Sequence, residues 1–87
     1  GMNGPEAVGS LSCFPNPSTG TFHFQGFVAG SGPLVFTIHD VAWREMDRIA
    51  LSPGQIAFDR TLVRSGTYFF TLNDGGHLLQ KGKLVVL

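Results

Sequence analysis

The side chains with reactive potential in this sequence are few. His23, His39 and His77 are its only imidazoles and Cys13 its only thiol. Three imidazoles can hold a catalytic zinc ion, but only where the fold brings all of them to one point. Their spacing does not enforce this: alternation puts His23 and His39 on outward strand faces and His77 beside a turn. Asp40, Glu45, Asp47, Asp59 and Asp74 fall at strand ends or edges, where carboxylates cap turns and keep edges soluble. No cleft for a catalytic carboxylate pair is evident in a chain this short. Ser, His and Asp are all present, but the G-x-S-x-G elbow that exposes a nucleophilic serine is missing. Asn73-Asp74-Gly75-Gly76 offers oxygens to Ca²⁺, yet an isolated Asp-Gly pair reads first as a turn. Cys13 can form no internal disulfide and reads as a small buried hydrophobe. The sequence indicates no catalytic residue, no metal site and no cofactor. What remains is a pair of aromatics, Trp43 and Phe69, that are expected on outward faces, where they could meet a sugar or a protein partner.

The elements that must carry these residues are strands. Residues 65–87 read SGTYFFTLNDGGHLLQKGKLVVL, two apolar runs around an Asn-Asp-Gly-Gly cluster. β-Branched and aromatic side chains fit a pleated surface. Asp-Gly between two such runs predicts a hairpin, because Gly accepts φ > 0. Tyr68, Phe70 and Leu72 share one face, and Thr67, Phe69 and Thr71 the other. The second run has no single parity. Leu78, Leu84 and Val86 fall on one side and Leu79, Lys81, Lys83, Val85 and Leu87 on the other, with Gly82 as a candidate bulge that switches faces. A tail ending Leu84-Val85-Val86-Leu87 is expected to be a strand held in a sheet, unlike the usual frayed end.

Upstream, Leu11–Phe14 reads as a short first strand. Pro15-Asn16-Pro17-Ser18-Thr19-Gly20 cannot be a central strand, since proline lacks the N–H donor, so it is a turn or an edge crossing. Thr21–Gln25 alternates, with Phe22 and Phe24 inward. Gly26–Gly32 reads as a Gly-rich connection with Phe27 and Val28 tucked under it. Leu34–Asp40 alternates again, with Leu34, Phe36 and Ile38 inward. Val41-Ala42-Trp43 is a tight connection into an edge strand, Arg44–Leu51, whose Met46 is expected to point in and whose Arg48 stem lies over apolar surface. Ser52-Pro53-Gly54 is a turn, Gln55–Asp59 a strand with Ile56 and Phe58 inward, and Arg60–Ser65 a connection. The pattern of about seven short strands with turn signals between them predicts an all-β fold, a small antiparallel immunoglobulin-like β-sandwich. The Cys…Trp…Cys signature of antibody domains is absent.

Composition agrees. Hydrophobic residues make up 43% of the chain, enough for a real core and against disorder. Formal net charge is zero, so the basic footprint of a nucleic-acid binder is missing. The longest apolar run is far short of the roughly 20 residues of a membrane helix, and no secretory signal peptide is read at the start. Residues 1–10 are expected to be a tag remnant and linker (Gly1-Met2 as a tag-removal scar, Asn3–Ser10 as linker) and 11–87 the domain, excised from something longer.

Four motifs in order resemble one family. They are Pro15-Asn16-Pro17-Ser18-Thr19-Gly20-Thr21-Phe22; Ile38-His39-Asp40 with Arg44-Glu45; Asp59 followed by Ser65-Gly66-Thr67-Tyr68-Phe69; and Lys83-Leu84-Val85-Val86 at the end of the chain. The set resembles the type A C-terminal sorting domain of the type IX (Por) secretion system of Gram-negative bacteria, across Phe14–Leu87. Trp43 stands where that family has Gly in the central turn. Arg60, Leu62 and Arg64 replace its Leu, Gly and Pro, and Gly82 interrupts its Lys-Lys pair.

The resemblance implies a non-catalytic address label on a larger cargo protein, read by the outer-membrane type IX translocon and cut upstream by a sortase-like protease. The route runs through the periplasm to the cell surface or beyond. The implied recognition residues are Gly66, Tyr68, Lys81, Lys83, Leu84, Val85, Val86 and Leu87. Gly66 and Tyr68 also read as a turn and a core residue. The contact implied for the tail is edge docking, in which main-chain bonds give affinity, and an apolar terminal edge could also pair with its own copy. The other reading of the residues is a binding module of immunoglobulin or fibronectin type that grips carbohydrate or protein through Phe69, Trp43 and the loops.

Overall fold

The computed structural model describes residues 9–30 and 32–87; residues 1–8, which hold most of the expected tag and linker, lie outside it. Among the described residues seven strands form: β1 (Gly9–Phe14), β2 (Thr21–Val28), β3 (Leu34–His39), β4 (Glu45–Leu51), β5 (Gly54–Thr61), β6 (Gly66–Asp74) and β7 (His77–Val86). They make two antiparallel sheets, one ordered β1-β2-β5 and the other β4-β3-β6-β7. This is the immunoglobulin-like β-sandwich expected from the alternation. β1 begins at Gly9, so Gly9 and Ser10 belong to a strand and not to the linker.

The core sits between the sheets on the positions that alternation places inward: Phe22 and Phe24 on β2, Leu34, Phe36 and Ile38 on β3, Tyr68, Phe70 and Leu72 on β6. At its centre, Phe24, Phe36, Phe58 and Phe70 come from β2, β3, β5 and β6, two from each sheet. Phe24 meets Phe36 edge-on at 4.9 Å and stacks on Phe58 at 5.1 Å, and Phe36 stacks on Phe70 at 5.4 Å. Each such pair adds about 0.5–1.5 kcal/mol beyond area burial, so this cluster joins the two layers. The Tyr68 hydroxyl donates to the Arg64 carbonyl at 2.7 Å. A tyrosine tied to backbone just upstream is a hallmark corner of immunoglobulin-like sandwiches.

The structure departs from the expected pattern at four places. β2 runs through Gly26 to Val28, so the Gly-rich connection starts later; Val28 is buried while Phe27 is 57% exposed. Met46 does not point in: it is 50% exposed, and the inward residues of β4 that pack on the core are Ile49 and Leu51. The cause is a register shift opposite Ile38 and His39, where Ile38 pairs with Asp47 but His39 with Glu45, leaving Met46 as the extra residue. β5 extends past Asp59 to Thr61, shortening the connection to Gly66. Gly82 is not the bulge. Leu72 pairs with Gln80 and Asn73 with Leu78, so the extra residue is Leu79. Gly82 pairs with Phe70 and faces inward, and a Cβ there would overlap Phe70 Cε2. The missing side chain makes room for the ring. The hairpin closes on Gly75 and Gly76, both at positive φ (57° and 94°), as a two-residue turn that matches strand twist requires.

Candidate interaction face and terminal strand

β7 lies at the edge of its sheet, with β1 at the neighbouring edge of the other. That side of the sandwich is stitched shut. Gln80 Nε2 donates to the Leu11 carbonyl at 2.9 Å and its Oε1 accepts from the Leu11 N–H at 2.8 Å, so one amide side chain spans the sheets as a ladder rung. The Pro15–Gly20 segment then leaves β1 and lies along the outer edge of β7. Asn16 Nδ2 donates to the Lys83 carbonyl at 2.7 Å, and the Val85 N–H donates to Asn16 Oδ1 at 3.0 Å. The Ser18 N–H donates to the Val85 carbonyl and the Leu87 N–H to the Ser18 carbonyl, each at 2.9 Å. Ser18 is buried, its hydroxyl donating to the Thr21 carbonyl at 2.6 Å. Proline suits this strap because its lost donors face away from any ladder. The expected edge crossing is thus a clasp on the terminal strand.

The implied recognition residues range from buried to exposed. Leu84 and Val86 are core, and Tyr68 is core and corner. Val85 is half-buried and Leu87 is 70% exposed, its carbonyl accepting from Ser65 Oγ at 3.0 Å. Gly66 opens β6 opposite Val86, with open space where a Cβ would go. Lys81 and Lys83 are exposed and project from the outer face of the four-stranded sheet, in register with Thr71 and Phe69. The edge that would pair with an added strand is occupied from Lys83 to Leu87, so what the tail offers outward is its face.

On that face the two outward aromatics meet. Trp43 lies flat on His39, ring centroids 4.5 Å apart and 12° from parallel, and is tilted against Phe69 at 5.6 Å. Lys81 Nζ is 5.5 Å from the indole centroid, within cation–π range. Trp43 remains 49% exposed, while His39 Nδ1 is buried with no hydrogen-bond partner among the described residues. The turn that delivers Trp43 is held by Asp40: its carbonyl accepts from the Trp43 N–H at 2.9 Å and its Oδ1 from the Arg44 N–H at 2.9 Å. The Arg44 N–H, opposed in part by desolvation, holds the Asp40 carboxyl below its ordinary range. Arg48 grips Glu45 with both Nε (3.2 Å) and Nη2 (2.8 Å), which likewise lowers the Glu45 carboxyl. Sequence reasoning named Trp43 and Phe69 but missed His39 as their support. Only the i, i+4 spacing across a tight turn could have signalled it.

The other reactive groups do not converge. His23 Nδ1 lies 2.6 Å from Asp59 Oδ1 on the outside of the three-stranded sheet, away from His39. Among the described residues no three His, Cys, Asp or Glu side chains are placed to share a metal. An open cleft of about 360 Å³ lies between β4 and the β5–β6 connection, lined by Met46, Asp47, Leu62, Val63, Arg64 and Tyr68. Its carboxylate, Asp47, is paired with Arg60 Nε at 2.8 Å; Thr61 also lines it, and the Tyr68 hydroxyl is committed to the Arg64 carbonyl. Cys13 is half-buried, and burial pushes its thiol up to about 11, the opposite of what an activated thiolate needs. No protein-family model, curated protein or solved structure matches the chain.

Proposed function

We propose that this domain is a non-catalytic sorting module, carried on a larger cargo protein and read by an outer-membrane type IX translocon, which delivers the cargo to the cell surface. The observation that supports the reading most is the clasp. The first and last motifs of the resemblance, far apart in the chain, form one unit in which Asn16 and Ser18 bind Lys83, Val85 and Leu87. A label built this way can be read only when the domain is complete, because the terminal strand is fixed by its first loop. The exposed Lys81 and Lys83 are the contact points of this reading, and the core residues Leu84 and Val86 hold them in place. The test is a reporter fused to Gly9–Leu87 in a host with this pathway. Lys81→Glu with Lys83→Glu leaves the core untouched and is expected to retain the reporter in the periplasm; normal export of that variant would remove the lysines from the recognition surface.

A second reading is a binding module that grips a partner through the outer sheet face. It is favoured by one observation, the half-exposed Trp43 platform supported by His39 and Phe69.

A further inference from the structure

We propose that the outer face of the four-stranded sheet binds an acidic polysaccharide, with Trp43 as the stacking platform and Lys81 and Lys83 as the charge contacts; this rests on the binding-face reading. Trp43 has φ 65°. A bulky residue in the left-handed region is a genuine outlier, and such strain persists where the surroundings hold it, often at ligand sites. Glycine would take this conformation without penalty, so the turn by itself gives no reason for an indole. What the indole gains is position. One of its faces is backed by the His39 ring, its flank by Phe69, and Lys81 Nζ stands over the ring at 5.5 Å, where a sugar would meet ring and ammonium together; about half of the residue's surface stays open. A rigid, flat, half-wet aromatic surface of this kind suits the C–H face of a sugar ring and orders few rotamers on binding.

The charge around it selects the ligand. Lys81 and Lys83 stand about 7 Å apart along one strand, on the same face as the indole. Neither forms an ion pair among the described residues. The acids nearby are occupied: Glu45 is held by Arg48 and Asp40 by Arg44. The local field is therefore positive although the chain is neutral. A flat face with spaced cations accommodates an extended chain of anionic sugars. An acidic peptide would gain most by adding a strand, and the β7 edge is closed from Lys83 to Leu87 by Asn16 and Ser18.

The protein carries one tryptophan, so its emission reports directly on this site. Titration of the intact chain with oligogalacturonate is expected to shift Trp43 emission saturably. The affinity should fall at least tenfold in Trp43→Gly, read by calorimetry, and at least tenfold in Lys81→Gln with Lys83→Gln, read by fluorescence. Glycine accepts the turn, so Trp43→Gly stays folded, which circular dichroism checks. Neutral maltohexaose and polyglutamate should not compete. Absence of a saturable shift, or equal competition by polyglutamate, overturns the proposal. Export of a Trp43→Gly fusion separates the two readings: normal export with lost sugar binding leaves the sorting role intact, and sugar binding without export of any fusion removes the sorting role alone.

Discussion

Three residues carry physics that a substitution can isolate. Trp43 sits where L-residues are strained, so the strain and the stacking can be measured apart. Trp43→Ala loses the stacking on His39 and keeps a Cβ at φ 65°, whereas Trp43→Gly loses both stacking and strain. Trp43→Gly should be more stable than Trp43→Ala by about 1 kcal/mol, compared by urea midpoints. The reverse order would mean that the turn relaxes when the indole is gone. Gly82 is a close-approach glycine, since a Cβ would overlap the Phe70 ring, which is wedged between Phe24 and Phe36. Gly82→Ala should cost about 1–3 kcal/mol through overpacking, and an unchanged midpoint would show that the ring moves freely. Cys13 titrates near 11 when folded against an ordinary 9.0. Between those values the unfolded chain gives up a proton that the folded chain keeps, so stability falls as pH rises across that window. Cys13→Ala should flatten that part of the curve, and the folded thiol should react with a disulfide reagent much more slowly than the urea-unfolded one.

At the scale of the element, the clasp decides how the terminal strand behaves. The Val85 N–H has Asn16 Oδ1 as its partner and the Leu87 N–H has the Ser18 carbonyl. Asn16→Ala should cost about 1 kcal/mol and speed amide exchange at Val85 while leaving Leu87 protected. Equal acceleration at both would show that the strap releases as one piece. The strands themselves were legible because alternation is a local signal: Phe22 and Phe24, Leu34 to Ile38, and Tyr68 to Leu72 all face as their parity requires. Parity fails where one strand carries an extra residue. Met46 and Leu79 are such residues, and both shifts lie in pairings between strands that no single run of sequence encodes. Gly82 breaks the apolar pattern of its strand, but its role depends on the Phe70 ring across the ladder. The clasp was invisible for the same reason, since Asn16 and Val85 are 69 positions apart. Outward placement of Trp43 and Phe69 could be read from the chain; their meeting over His39 required the turn geometry.

At the scale of the molecule, the phenylalanine cluster locks two thin sheets together. The edge formed by β1 and β7 is closed by Gln80, Asn16 and Ser18. On the opposite side, Arg60 of β5 pairs with Asp47 of β4 at 2.8 Å, and bulging with charged residues on β4 discourages strand pairing there. The face proposed to meet a partner is the outer face of the four-stranded sheet, where Lys81, Lys83, Trp43 and Phe69 lie together. Truncating the tail would remove Leu84 and Val86 from the core along with the lysines, so deletion alone cannot distinguish lost recognition from lost folding. The most direct measurement is the destination of a periplasmic reporter fused to Gly9–Leu87 in a host that has the type IX pathway, with the fold of the fusion checked by protease resistance. Surface display of the intact fusion, with retention of an equally resistant Lys81→Glu, Lys83→Glu fusion, is the result this account predicts. A folded, intact fusion that stays in the periplasm would contradict it.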